Sequence, residues 1–159
     1  MHRPPIIATL AALIALPALP ALAAPQHAHD AAGTQHTLQL NAGQKWQTDA
    51  PLRANMASLR TSLQPLLPGI HADTLKPDDY RQLAATVEAR VTDIVRQCRL
   101  PAAADAQLHI IVGELFAGAG AMKGTDTAHT PRDGAVQVVA AINDYARYFN
   151  DPGFKPLGH

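Results

Sequence analysis

Three side chains able to bind a soft metal ion stand at Met56, Cys98 and His109. Thioether, thiolate and imidazole are a donor set for copper and a usable one for zinc. Asp105 precedes His109 by four residues, one helical turn, where a carboxylate can orient the imidazole from behind as an outer partner. A second group, His27-x-His29-Asp30 with His36 further on, can chelate copper, nickel or zinc weakly without any fold. Each residue also has an ordinary use: a core Met packs, a buried Cys behaves as a small hydrophobe, and solvated histidines are common in flexible segments. For catalysis there is little to assemble. Cys98 and His109 offer a thiolate pair in principle, but no oxyanion donors accompany them, and Gly-x-Ser-x-Gly, His-Glu-x-x-His and the P-loop pattern are all missing. The chain therefore reads as a non-enzyme. Covalent haem is excluded by the missing Cys-x-x-Cys-His. Haem held in a bundle would want a histidine near the end of the last helix, where Tyr145, Arg147 and Tyr148 stand instead.

The elements that must position these donors are helical. Thr48 is a candidate N-cap for a first helix with Asp49 and Pro51 in its first turn, apolar at Leu52, Met56, Leu59, Leu63 and Leu66 or Leu67, and ended by Pro65 and Leu67-Pro68-Gly69. A second helix opens at Pro77-Asp78-Asp79, acids that suit the positive end of the helix dipole. It runs Tyr80, Leu83, Val87, Val91, Ile94, Cys98 at three- and four-residue steps, the clearest seam in the chain. The third starts near Ala102 or Asp105, carries Leu108, Val112, Leu115, Ala119 and Met122, is weakened by Gly113, Gly118 and Gly120, and closes at Lys123-Gly124. The fourth has Thr130-Pro131-Arg132-Asp133 as cap and capping box, then Val136, Val139, Ile142, Tyr145 or Ala146, and Phe149. No window alternates with a period of two. The fold class is all-α, an up-down-up-down antiparallel four-helix bundle spanning 46–159.

Short linkers with antiparallel neighbours bring the start of the first helix, the end of the second, the start of the third and the end of the fourth to one end. At about 1.5 Å of rise per residue, Met56, Cys98, His109 and Tyr145 all fall within roughly 10 Å of that end. Trp46, Tyr148 and Phe149 gather there too, as a candidate contact surface.

Residues 1–23 read as a secretory signal: Arg3, an apolar run from Ile6 to Leu16, then small residues with Ala21 and Ala23 suited to cleavage after Ala23. The run is too short to span a bilayer, so no integral membrane segment is expected after cleavage, and the localisation is periplasmic. Residues 24–45 read as a flexible, histidine-containing leader. Thirteen Lys and Arg balance thirteen Asp and Glu, which excludes nucleic acid as a partner. With Cys98 as the only cysteine, an exported chain gains no internal disulfide, and its stability rests on helix packing.

The run Leu40-Asn-Ala-Gly-Gln-Lys45-Trp46-Gln-Thr-Asp49-Ala-Pro51-Leu52-Arg53, then Val91-x-x-Ile94-Val95-x-x-Cys98-x-Leu100, Ala104-Asp105-Ala-Gln-Leu108-His109 and Tyr145-x-x-Tyr148-Phe149, resembles a family of small exported proteobacterial helical-bundle proteins catalogued as DnrO-like. The resemblance implies a periplasmic helical protein and transfers no activity. The expected function is a periplasmic binding or stress protein with copper as first ligand and zinc as second. The alternative is a metal-free module that binds a periplasmic protein partner.

Overall fold

The computed structural model describes residues 37–158, so the signal segment and His27, His29 and His36 lie outside the described residues. Four long helices pack with antiparallel neighbours: α1 (Ala50–Leu63), α3 (Pro77–Gln97), α4 (Ala102–Lys123) and α5 (Pro131–Tyr148), with a short α2 (Leu67–His71) between the first two. Contacts run α1 to α3, α3 to α4, and α4 to α5, the last pair being the most extensive. The expected stripes form the core, with Leu52, Met56, Leu59, Leu63, Val87, Val91, Leu115 and Ile142 all fully buried; Ile111, outside the expected stripe of α4, is fully buried as well. In α5 the inward positions are Ala135, Val138, Val139, Ile142 and Tyr145; Val136, expected in the stripe, is 44% exposed.

Local chemistry sets the helix ends. Asp49, and not Thr48, caps α1, its Oδ1 accepting from the Leu52 N–H at 2.9 Å. Thr48 instead donates its hydroxyl to the Asn150 carbonyl. α1 ends at Leu63, just before Pro65 as expected; the chain goes on through a 3₁₀ turn at Gln64–Leu66, and Pro68 sits in the first turn of α2, where its missing N–H leaves no bond unmade. At α5 the capping box is present, Thr130 Oγ1 accepting from the Asp133 N–H while Asp133 accepts from the Thr130 N–H.

Two segments outside the helices are ordered by long-range bonds. Within the stretch expected to be flexible, residues 37–45 are held in place: Leu38 packs on the core, Gln39 N–H donates to Gln107, Trp46 Nε1 donates to the Gln39 carbonyl, and Lys45 donates to the Ala146 carbonyl. A two-residue parallel pairing, β1 (Trp46–Gln47) with β2 (Phe149–Asn150), follows. No sequence period announces it, because two residues are too few to show alternation. The C-terminal tail then lies along α5. Phe154 meets Tyr145 edge-on at 5.0 Å, Leu157 is buried and exchanges two hydrogen bonds with Asn143, and the Lys155 carbonyl accepts from Arg60 Nε at 2.7 Å.

The α4–α5 contact depends on two glycines. A Cβ on Gly134 would come within 2.5 Å of the Gly118 carbonyl oxygen and 2.9 Å of the Met122 nitrogen, and one on Gly118 within 2.6 Å of the Gly134 carbonyl oxygen. All three obstacles are backbone atoms and cannot rotate away. Gly113, on the exposed side of α4, has nothing within 4 Å of such a Cβ. Gly134→Ala is therefore expected to destabilise the protein by about 1–3 kcal/mol through overpacking. Gly113→Ala is expected to stabilise it by about 0.5–1 kcal/mol through helix propensity. Urea unfolding of the two variants checks the opposite signs; equal effects would contradict the close approach.

Candidate functional site

The corner where α3 turns into α4 is built around Asp49. Its Oδ1 caps α1, while its Oδ2 accepts from the Arg99 N–H at 2.6 Å, fifty residues along the chain. One carboxylate thus ties the start of the first helix to the chain just beyond α3. Cys98, the C-cap of α3, is held in extended conformation beside it and is half-buried. Burial pushes the Cys98 thiol up to about 12, assisted by the Asp49 charge and its hydrogen bond and by Asp105, with Arg99 opposing. At neutral pH the sulfur carries its proton.

Cys98, Asp105 and His109 line one cavity of about 160 Å³, walled by Ile94, Val95, Leu108 and Val112. His109 is mostly exposed, with its Nδ1 2.8 Å from the Asp105 backbone carbonyl and 3.4 Å from the Asp105 carboxylate. Both partners of Nδ1 are acceptors, so a neutral ring keeps its proton there. Nε2 is left with its lone pair free to bind.

Met56 is not a wall of that cavity. It is fully buried among the apolar side chains of the core, in the packing role its stripe predicts. Rise along the helix brings a residue to a layer of the bundle; the angle around the helix decides which face it serves. Among the described residues no three of His, Cys, Asp and Glu gather closely enough to hold a metal ion. Tyr145, at the same end, is buried and donates its hydroxyl to Asp151 at 3.0 Å, and burial raises its pKa. Of the candidate contact surface, Phe149 is buried and stacks on Tyr145, leaving Trp46 and Tyr148 half-buried.

Asp49 is the residue that sequence reasoning undervalued. Its place before Ala50-Pro51 marks a cap, but its grip on Arg99 and Cys98 has no local signature. No helix among the described residues is long and apolar enough to cross a membrane. Comparisons with protein-family models, with curated proteins and with solved structures find no match to this chain.

The thiol supplies a prediction with a definite sign. Because its folded pKa lies above the ordinary value of 9.0, its contribution to stability is complete below about pH 9 and is lost as pH rises toward 12. Alkylation of the native protein is expected to be slow at neutral pH and to accelerate only as pH approaches that upper value, whereas denatured protein reacts with an ordinary profile. Asp49→Asn, which keeps the side-chain shape and removes the charge, should move the native profile to lower pH. Equal native and denatured rates would show that the thiol is not covered.

Proposed function

We propose that the chain is an exported, periplasmic helical binding protein and not an enzyme, and that its ligand is a transition-metal ion, copper before zinc, held through the Cys98 sulfur and His109 Nε2. The observation that carries the reading is the pairing of His109 Nδ1 with Asp105, which orients the ring and leaves Nε2 as the available donor, on a residue that lines the same cavity as Cys98. Copper(I) accepts two soft donors. A structural zinc site wants four ligands, and the described residues gather no such set. The carboxylates of Asp49 and Asp105, which oppose formation of a bare thiolate, favour a cation in its place. A thiol kept protonated at neutral pH is a poor nucleophile, which argues against catalysis by Cys98. The resemblance to the DnrO-like proteins supports the compartment alone.

A second reading, a metal-free interaction module, is favoured by Val95 at 60% and Phe116 at 44% exposure, large apolar side chains left open to solvent on α3 and α4. The two readings separate by metal analysis.

Under copper(I) in a competing chelator, the intact protein is expected to hold one ion. Cys98→Ser should abolish retention, His109→Ala should weaken it about tenfold or more, and Met56→Leu should leave it unchanged. Because binding releases the thiol proton, apparent affinity should rise about tenfold per pH unit between pH 7 and 9. Retention unaffected by Cys98→Ser rules this site out; no retention at all favours the interaction module. Intact mass of the periplasmic form is expected to begin at Ala24, and a retained leader would contradict export.

A further inference from the structure

We infer a second binding site, independent of the metal reading, in the groove between α1 and the C-terminal tail: a cradle for a small phosphate monoester with an apolar body. The groove is a cavity of about 410 Å³, within the range of small-molecule sites. Arg53 and Arg60 line it from α1, two turns apart on one face, and Lys155 lines it from the tail. Asp151 is the one carboxylate among the lining residues, and it is already engaged by the Tyr145 hydroxyl. Net charge at the walls is therefore positive by two.

Among the described residues, none of the three cations has an acidic partner within ion-pair distance. Both arginines are half-buried, their stems packed along α1 while the charged heads stand at the groove without a carboxylate to neutralise them. Arg53 commits one terminal nitrogen to the Thr48 carbonyl and hydroxyl. Among the described residues Arg60 commits only Nε, to the Lys155 carbonyl, which fixes the guanidinium against the tail and turns neither terminal nitrogen to another described acceptor. Such a guanidinium is the fork that grips an oxyanion through paired hydrogen bonds, and the Lys155 ammonium is carried on the residue it holds. Phe154 and Ala57 supply the apolar wall. Two net positive charges match a dianionic phosphate monoester better than a monocarboxylate.

The test is a titration of the full exported chain with phenyl phosphate, benzoate and inorganic phosphate at constant ionic strength, read by backbone amide chemical shifts. Saturable shifts centred on residues 53–61 and 151–155 are expected with phenyl phosphate, at least several-fold tighter than with benzoate or inorganic phosphate. Arg60→Gln should weaken binding about tenfold or more. Lys155→Gln, which leaves the backbone bond from Arg60 in place, should weaken it without disturbing the tail, so a loss is not mistaken for tail release. Absence of saturation up to on the order of 10 mM, or saturation unchanged in both variants, overturns the site. Equal affinity for benzoate overturns the assignment to phosphate.

Discussion

The Asp49 carboxylate is the contact on which the chemistry-bearing end of the bundle depends. A single side chain closes the first turn of α1, receives the Arg99 N–H where the chain leaves α3, and presses its charge on Cys98. Helix caps and corner bonds are each worth about a kilocalorie or so when taken singly. Their union in one carboxylate makes the position of Cys98 contingent on the register of α1. It also helps burial keep the thiol protonated: the charge that stabilises the corner opposes a bare thiolate.

At the core, packing takes a different form on each side of α4. Toward α5 the helices approach until the Gly118 and Gly134 backbones touch, excluding even a methyl group. Toward α3 the contact is conventional, with leucine, isoleucine and valine side chains interleaved and Lys123 reaching Glu88 at the surface. The direct α1–α5 contact is slight, and the C-terminal tail covers that flank with Phe154, Leu157 and the Lys155 carbonyl. The cationic groove follows from this arrangement, since a non-helical tail is narrower than a helix and leaves a channel beside it.

Helix positions were legible because their causes are local. The seam from Tyr80 to Ile94, the capping box at Thr130 and the stop at Lys123-Gly124 rest on spacing and on residues within a turn of one another, and the described helices follow them. Errors cluster where a distant partner decides. Residues 37–45 read as leader by composition, yet they are bonded to Gln107 and Ala146. Val136 fits the α5 period as well as Val138 does, and it is the packing of α5 on its neighbours, with Gly134 against Gly118, that turns the Val138 face inward.

From the sequence alone came the all-α class, the four long helices, their antiparallel order and the expectation that Cys98 and His109 share one end, since periodicity, capping and linker length are properties of short windows. Only the tertiary structure decided that Met56 serves the core and not the Cys98 cavity, that Asp49 reaches Arg99, and that Arg60 meets a carbonyl ninety-five residues away. Those outcomes depend on the rotation of each helix about its axis and on the path of the tail. Both are set by how whole faces pack together, a quantity that no short stretch of sequence contains.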